Sequence, residues 1–239
     1  MIEGSSLEEQ VRVASTLADP TRLQILTRLL EGSATVAELV AWTAAPQPAV
    51  SNHLRLMRER RLVSSRREGR TMVYRLSGQE VAHIVETLTT LGRATARPRA
   101  PAPIAVARTC YDHLAGRLGV ALLDGLRRAR VLDGPDESGS LDLGPAGPQV
   151  LARLGLDLAE PASGRRRFAY ACLDWTEGQA HLGGALGAAL CRWAIEAGWV
   201  APQRGTRAVL VTGAGRLALR RLIGVEVSDR RKGPKTLPP

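Results

Sequence analysis

A ten-residue pattern occurs twice in this chain, 68 positions apart. His113-Leu114-Ala115-Gly116-Arg117-Leu118-Gly119-Val120-Ala121-Leu122 returns as His181-Leu182-Gly183-Gly184-Ala185-Leu186-Gly187-Ala188-Ala189-Leu190. At the same offset, Leu143-Gly144-Pro145-Ala146-Gly147 and a helical pattern through Leu151 and Leu154 match Val211-Thr212-Gly213-Ala214-Gly215, Leu219 and Leu222. A repeated supersecondary unit cannot bury its apolar face alone, so the two copies are expected to pack on each other. Each reads as helix, short strand, glycine turn and helix, over residues 104–160 and 165–228. Gly116 with Gly119, and Gly184 with Gly187, each lower helix propensity by about 1 kcal/mol relative to alanine. Close helix–helix approach is the expected compensation.

The repeat marks off a second domain. Ahead of it, Ala96-Arg97-Pro98-Arg99-Ala100-Pro101-Ala102-Pro103 carries three closely spaced prolines, which favour an extended polyproline II linker. The expected organisation is residues 1–95, a linker over 96–103, a duplicated α+β domain over 104–228, and a basic, disordered tail over 229–239.

The first 95 residues carry a different pattern. Leu7, Val11, Ala14 and Leu17 recur at helical spacing after Ser6, a suitable N-cap. Asp19-Pro20 interrupts that helix and opens another bearing Leu23, Ile25, Leu26, Leu29 and Leu30. A short third helix runs from Thr35 to Trp42, with Val36, Leu39 and Val40 inward. The fourth, starting at Gln47, has two faces. Val50, Leu54 and Met57 form an apolar side. Gln47, Ser51, Asn52 and Arg55, with His53 beside them, bring hydrogen-bonding groups able to reach base edges or phosphates.

Beyond Met57 the period changes from helical to two. Leu62–Arg67 and Thr71–Leu76 flank Glu68-Gly69-Arg70, a β-hairpin pattern in which Met72, Tyr74 and Leu76 share one face. Between Arg55 and Arg75 there are eight arginines against two glutamates, whereas residues 1–96 hold twelve basic and ten acidic residues in all. The positive charge is therefore concentrated on the fourth helix and the hairpin, where phosphates would lie. The whole chain carries a formal charge of +10 and a pI near 10.8, which favours a polyanionic partner. Val81, Ile84, Val85, Leu88 and Leu91 then mark a fifth helix from Gln79 to Leu91.

Leu17-Ala18-Asp19-Pro20-Thr21-Arg22-Leu23-Gln24-Ile25-Leu26, Gln47-Pro48-Ala49-Val50-Ser51-Asn52-His53-Leu54, and Arg67-Glu68-Gly69-Arg70 with Val73-Tyr74-Arg75-Leu76 resemble the ArsR/SmtB family of winged-helix repressors. The resemblance covers residues 7–95. It implies a homodimer held by the first and fifth helices, and a fourth helix in the DNA major groove of two symmetric half-sites. It assigns base reading to Gln47, Ser51 and Asn52, and phosphate or minor-groove contacts to Arg55, Arg66, Arg67 and Arg70. Pro46 departs from the family's serine N-cap, at a cost of about 1 kcal/mol unless Thr43 replaces the lost bond. The expected fold is mainly α with small β-hairpins: a winged helix-turn-helix domain followed by an α+β domain of two similar units.

The family's metal-binding thiols are missing from the third and fourth helices. On the fifth helix, His83 and Glu86 form one i, i+3 pair with no companion pair. The better candidates lie in the second domain. Cys110 and His113, with Asp112 beside them, are three apart on an expected helix, and Cys172 precedes His181, the repeat mate of His113. If the copies pack about a pseudo-twofold, the two histidines approach the same axis, and the cysteines can follow them. Two thiolates and two imidazoles would suit zinc or another thiophilic divalent ion, and the same thiols would suit a redox sensor. Buried packing alone is the competing reading. Cys191 aligns with Leu123 and reads as core; Trp175, Trp193 and Trp199 read as core or packing between the copies; the arginines at 165–167 read as solvated.

The odd number of cysteines argues against a disulfide framework and for a reducing cytoplasm, and no apolar run of about 18 residues suggests a membrane span. No catalytic constellation is legible, so the chain reads as a regulator of double-stranded operator DNA and not as an enzyme. The alternatives are a DNA-tethered enzyme or small-molecule domain, or an extension that is only structural.

Overall fold

The computed structural model describes residues 4–92, 102–156 and 166–227. The chain divides into two compact units, 1–95 and 96–239. Most of the proline-rich linker and the basic tail lie outside the described residues.

The first unit holds helices α1 (Gly4–Leu17), α2 (Pro20–Leu29), α3 (Val36–Thr43), α4 (Gln47–Glu59) and α5 (Gln79–Leu91) and a small sheet. Its strands are β1 (Ala34–Thr35), β2 (Val63–Glu68) and β3 (Thr71–Leu76), in the order β1-β3-β2. α1 begins at Gly4, so Ser6 lies inside the helix and is not its N-cap. Asp19 caps α2 by accepting from the Arg22 amide at 2.8 Å, with Pro20 opening the first turn. Thr35 and Glu38 form a reciprocal capping box on α3. No side chain caps α4. Thr43 Oγ1 instead donates to the Leu39 carbonyl at 2.8 Å and accepts from the Ala45 amide, so it does not replace the bond lost at Pro46.

Ile25, Leu26, Leu39, Val50, Leu54 and Met57 fill the core of this unit. Its hairpin turns through Gly69 and Arg70, between the paired Glu68 and Thr71. Gly69 has φ +61°, and a Cβ there would meet nothing within 4 Å, so the backbone conformation alone favours glycine. Strand β1, pairing Ala34 with Tyr74, is too short for any periodic signal and was not expected.

The second unit begins with α6 (Ala102–Val106), so Ala102 and Pro103 open a helix instead of ending a linker. Two similar series follow. The first is β4 (Arg108–Cys110), β5 (His113–Ala115), α7 (Gly116–Arg128), β6 (Leu132–Asp133), β7 (Asp142–Leu143) and α8 (Gly147–Arg153). The second is β8 (Tyr170–Leu173), β9 (Ala180–Gly183), α9 (Gly184–Glu196), β10 (Val200–Pro202), β11 (Val209–Val211) and α10 (Gly213–Ile223). Each is hairpin, helix, hairpin, helix, which differs from the expected helix-first order.

His113-Leu114-Ala115 and His181-Leu182-Gly183 are strands, not first helical turns. Gly116 and Gly184 explain the difference. Their φ values of +72° and +90° cannot belong to a right-handed helix continuing upstream, so the chain turns there from strand into helix. Gly119 and Gly187 have another role. A Cβ on Gly119 would collide with the Leu114 carbonyl and lie 3.2 Å from His181 Cβ; one on Gly187 would collide with the Leu182 carbonyl and lie 3.2 Å from His113 Cβ. The tightest approach is therefore to the strand just before each helix, with the hairpin of the other series also near, α7 by β9 and α9 by β5, and it is not between two helices. Leu118, Leu122, Leu126, Leu151, Leu186 and Leu190 build the shared core. Trp193 and Trp199 pack against it edge to face, with ring centroids 4.3 Å apart. Cys191 is buried in the same core, and burial pushes its thiol up to about 11.

Candidate nucleic-acid interface and candidate metal centre

The apolar side of α4 is seated in the core through Val50, Leu54 and Met57, which leaves its polar side outward. Gln47, Ser51, Asn52 and Arg55 are exposed and His53 is half-buried. Arg55 donates to Glu59 at 2.7 Å and to Asn52 Oδ1 at 3.0 Å, which orients the guanidinium and keeps the Asn52 amide in a defined position. Arg66, Arg67 and Arg70 are exposed on the hairpin. Arg66 donates to Glu68 and Arg67 to the Gly69 carbonyl, so both side chains are held at the tip by local bonds. The face can offer amide, hydroxyl and guanidinium groups to base edges and cations to phosphates. On α5, His83 is exposed while Glu86 is buried, so this pair does not present a shared ligand face.

In the second unit, Cys110, His113, Cys172 and His181 come together, with one ligand atom from each lying within 4.8 Å of all the others. All four are buried: 7 %, 1 %, 4 % and 0 % exposed in that order. The two cysteine-to-histidine spacings, three and nine residues, have one explanation. Cys110 stands directly across the ladder from His113, and Cys172 across from His181. The second hairpin merely has a longer loop. Cys110 and His113 thus face each other across two strands, and the expected placement on one helix is corrected.

The two imidazoles stack with centroids 5.1 Å apart and Nε2 atoms 3.2 Å apart. Behind them, His113 Nδ1 lies 3.2 Å from Asp112 Oδ1 and His181 Nδ1 lies 3.2 Å from Asp174 Oδ2. The second contact has the distance of an ion pair without the alignment of a strong hydrogen bond. Asp112 receives both terminal nitrogens of Arg166. Asp174, fully buried, lies 3.1 Å from Arg108 Nη2 and accepts from the Gly116 amide at 2.7 Å and from Thr176. Arg108 also lies over Trp175, its guanidinium 5.3 Å from the ring centroid.

This surrounding favours positive charge. Burial would lower the His181 pKa, but Asp174 and Cys110 more than offset it and raise it to about 9. His113 is raised as well: burial opposes the shift, while Asp112 and Cys110 drive it. Burial would raise both carboxyls, yet His113 and Arg166 hold Asp112, and His181 and Arg108 hold Asp174, well below the usual carboxylate range. Chemically, the cluster offers two thiols and two imidazoles to a single point, with an acceptor behind each imidazole.

Arg108, Arg166, Asp174 and Thr176 were not singled out from the sequence. One signal was available: Arg108 and Thr176, which share a 3.1 Å hydrogen bond, are separated by the repeat offset, as are His113 and His181. Of the arginines at 165–167, Arg166 pairs with Asp112 and Arg167 donates to Ser138 and Ser140, so these two are engaged and not simply solvated. Among the described residues, no helix is long and apolar enough to cross a membrane.

Comparison with known proteins gives this arrangement a context. Residues 19–65 match the family model "Bacterial regulatory protein, arsR family". The chain is 32% identical over 222 residues to the "Uncharacterized HTH-type transcriptional regulator YdfF" of Bacillus subtilis, spanning 90% of this chain and 97% of that one. That similarity therefore extends through the second unit. "HTH-type transcriptional regulator KmtR" of Mycobacterium tuberculosis is 43% identical over 75 residues, 31% of this chain and 58% of that one. The solved structure "Reduced HlyU from Vibrio cholerae N16961" is 35% identical and covers 37% of this chain and 93% of its own, with a TM-score of 0.35. With the helix-turn-helix residues in place and a full-length relative of the same kind, the chain belongs to the arsR family of DNA-binding bacterial transcriptional regulators.

Proposed function

We propose that this regulator binds a two-fold symmetric operator as a homodimer in the cytoplasm, represses there, and is released by an effector acting on the second unit. Base reading falls to Gln47, Ser51 and Asn52 on α4. Phosphate and minor-groove contacts fall to Arg55, Arg66, Arg67 and Arg70, with His53 flanking the readers. The effector is a thiophilic divalent ion, such as zinc, or a thiol oxidant. The observation that carries this reading is the buried convergence of Cys110, His113, Cys172 and His181 outside the DNA-binding unit. An effector shifts the equilibrium only if it binds the DNA-free conformation more tightly. Operator binding should therefore weaken on addition of zinc, cadmium, lead or peroxide to the wild type, and should not change for Cys110→Ser/Cys172→Ser. A wild type indifferent to every addition, in a binding assay at fixed salt, would overturn the sensing role.

The homodimer rests on apolar surface. Leu7 and Val11 of α1 and Leu91 of α5 are 54 %, 56 % and 77 % exposed, and Ile84 lines the same shallow cleft as Val13, Ala14 and Leu17. Such a stripe on two helices is costly to leave in water. Leu88→Glu, also on the exposed part of α5, is expected to convert the protein to a monomer in analytical ultracentrifugation. Its operator affinity should then fall by at least about tenfold, because the second half-site no longer contributes. A dimeric Leu88→Glu protein would place the interface elsewhere.

A further inference from the structure

Each imidazole of the buried cluster has a carboxylate behind it, within hydrogen-bond geometry for His113 and at ion-pair distance for His181. Asp112 faces Nδ1 of His113 and Asp174 faces Nδ1 of His181, each at 3.2 Å, and an arginine secures each carboxylate. In a neutral imidazole a carboxylate behind Nδ1 favours the proton on that nitrogen, which leaves Nε2 as the atom that would bind a metal once its own proton is displaced. The two Nε2 atoms lie 3.2 Å apart, close enough to share a proton or, in its place, a metal ion. The distance also suits one ion: with metal–nitrogen bonds of about 2.0–2.1 Å, a tetrahedral edge is about 3.3–3.4 Å. The thiols of Cys110 and Cys172 lie within the same 4.8 Å group and supply the other two corners.

We propose that Asp112 and Asp174 are positioning residues of a closed centre in which two thiolates and two imidazole Nε2 atoms hold one tetrahedral ion of the zinc class. The proposal deepens the metal branch of the function given above and rests on it. Two thiolates disfavour magnesium, calcium and manganese, which take oxygen ligands, and four buried protein ligands leave no place for the waters of a six-coordinate ion. The connectivity gives the ion a structural consequence. Hairpin β4–β5 contributes Cys110 and His113, and hairpin β8–β9 contributes Cys172 and His181, so one ion cross-links the two series of the second unit. Gly119 and Gly187 keep the opposite helices clear of the two histidine Cβ atoms, which lets both hairpins reach the shared point.

The test uses the full-length, reduced, metal-stripped protein. Zinc is titrated against a chromophoric chelator, and cobalt(II) serves as the spectroscopic probe. One ion per chain is expected, with thiolate-to-cobalt charge transfer and the intense visible bands of a tetrahedral site. Cys172→Ser should lose part of the charge-transfer intensity. Asp112→Asn, at the partly exposed end, should weaken zinc about 10–100-fold while the cobalt spectrum stays tetrahedral. Asp174→Asn should weaken it at least as much; because it also leaves Arg108 without its buried anion, the Asp112 variant decides the case. Absence of stoichiometric binding, weak octahedral cobalt bands, or unchanged zinc affinity in Asp112→Asn would each overturn the proposal. Operator binding is read separately. Tetrahedral loading without any change in operator affinity would leave the centre standing and remove its sensing role.

Discussion

Ser51→Ala combined with Asn52→Ala is expected to erase the preference for operator over random DNA while leaving the fold intact. Both side chains are exposed, and the core side of α4 is formed by Val50, Leu54 and Met57. A good base-edge contact discriminates by about 1–3 kcal/mol. Two readers on each of two half-sites therefore remove at least about 4 kcal/mol, roughly a thousandfold in the ratio of specific to nonspecific affinity. Arg67→Ala should behave differently. It should weaken binding to every duplex alike and reduce the slope of affinity against salt by about one counterion per site. The two variants are to be compared in fluorescence anisotropy at several salt concentrations. Full operator preference in the double variant would remove α4 as the reading element.

Gly119→Ala and Gly187→Ala should each destabilise the second unit by about 1–3 kcal/mol, since a new methyl forced into a packed site displaces its surroundings. The obstacle is backbone in both cases, the Leu114 and Leu182 carbonyls, which cannot rotate away as a side-chain end can. Alanine's intrinsic gain of about 1 kcal/mol in a helix does not offset such a collision. Gly213→Ala is the control. It lies at the start of α10, is exposed, and would place its Cβ with nothing within 4 Å, so it should be neutral or slightly stabilising. Urea denaturation followed by tryptophan fluorescence reports on this comparison, because three of the four tryptophans, Trp175, Trp193 and Trp199, belong to the second unit and only Trp42 to the first. Equal stability of all three variants would mean that the helices do not need those approaches.

These positions also mark where sequence patterns stop being sufficient. The five helices and the hairpin of the first unit were legible because each announces itself locally. Apolar residues recur every three to four positions, Asp19-Pro20 and Thr35 sit at helix starts, and Gly69 supplies a turn. Base-reading candidates follow from the same pattern, since seating Val50, Leu54 and Met57 inward leaves only one direction for the polar side. Strand β1 escaped because two residues have no period, and its pairing with Tyr74 spans forty positions.

In the second unit the repeat identified His113 and His181 as partners and suggested that the cysteines would join them. It gave the wrong local structure. The sequence reading places His113 on a helix, whereas the helix starts only at Gly116, whose positive φ keeps it from extending upstream. Glycine spacing alone does not reveal that sign of φ. Only the tertiary structure could show that each cysteine lies across a ladder from its histidine, since hairpins with loops of different length yield spacings of three and nine from one geometry. The same holds for Asp174 and Arg108, brought behind His181 from opposite halves of the unit. The sequence by itself determined the periodic elements, the two-faced helix and the duplication, because those depend on neighbours within a few residues. The packing of one series on the other decided the buried cluster and the carboxylates behind it, because their chemistry depends on distances between residues that no local pattern connects.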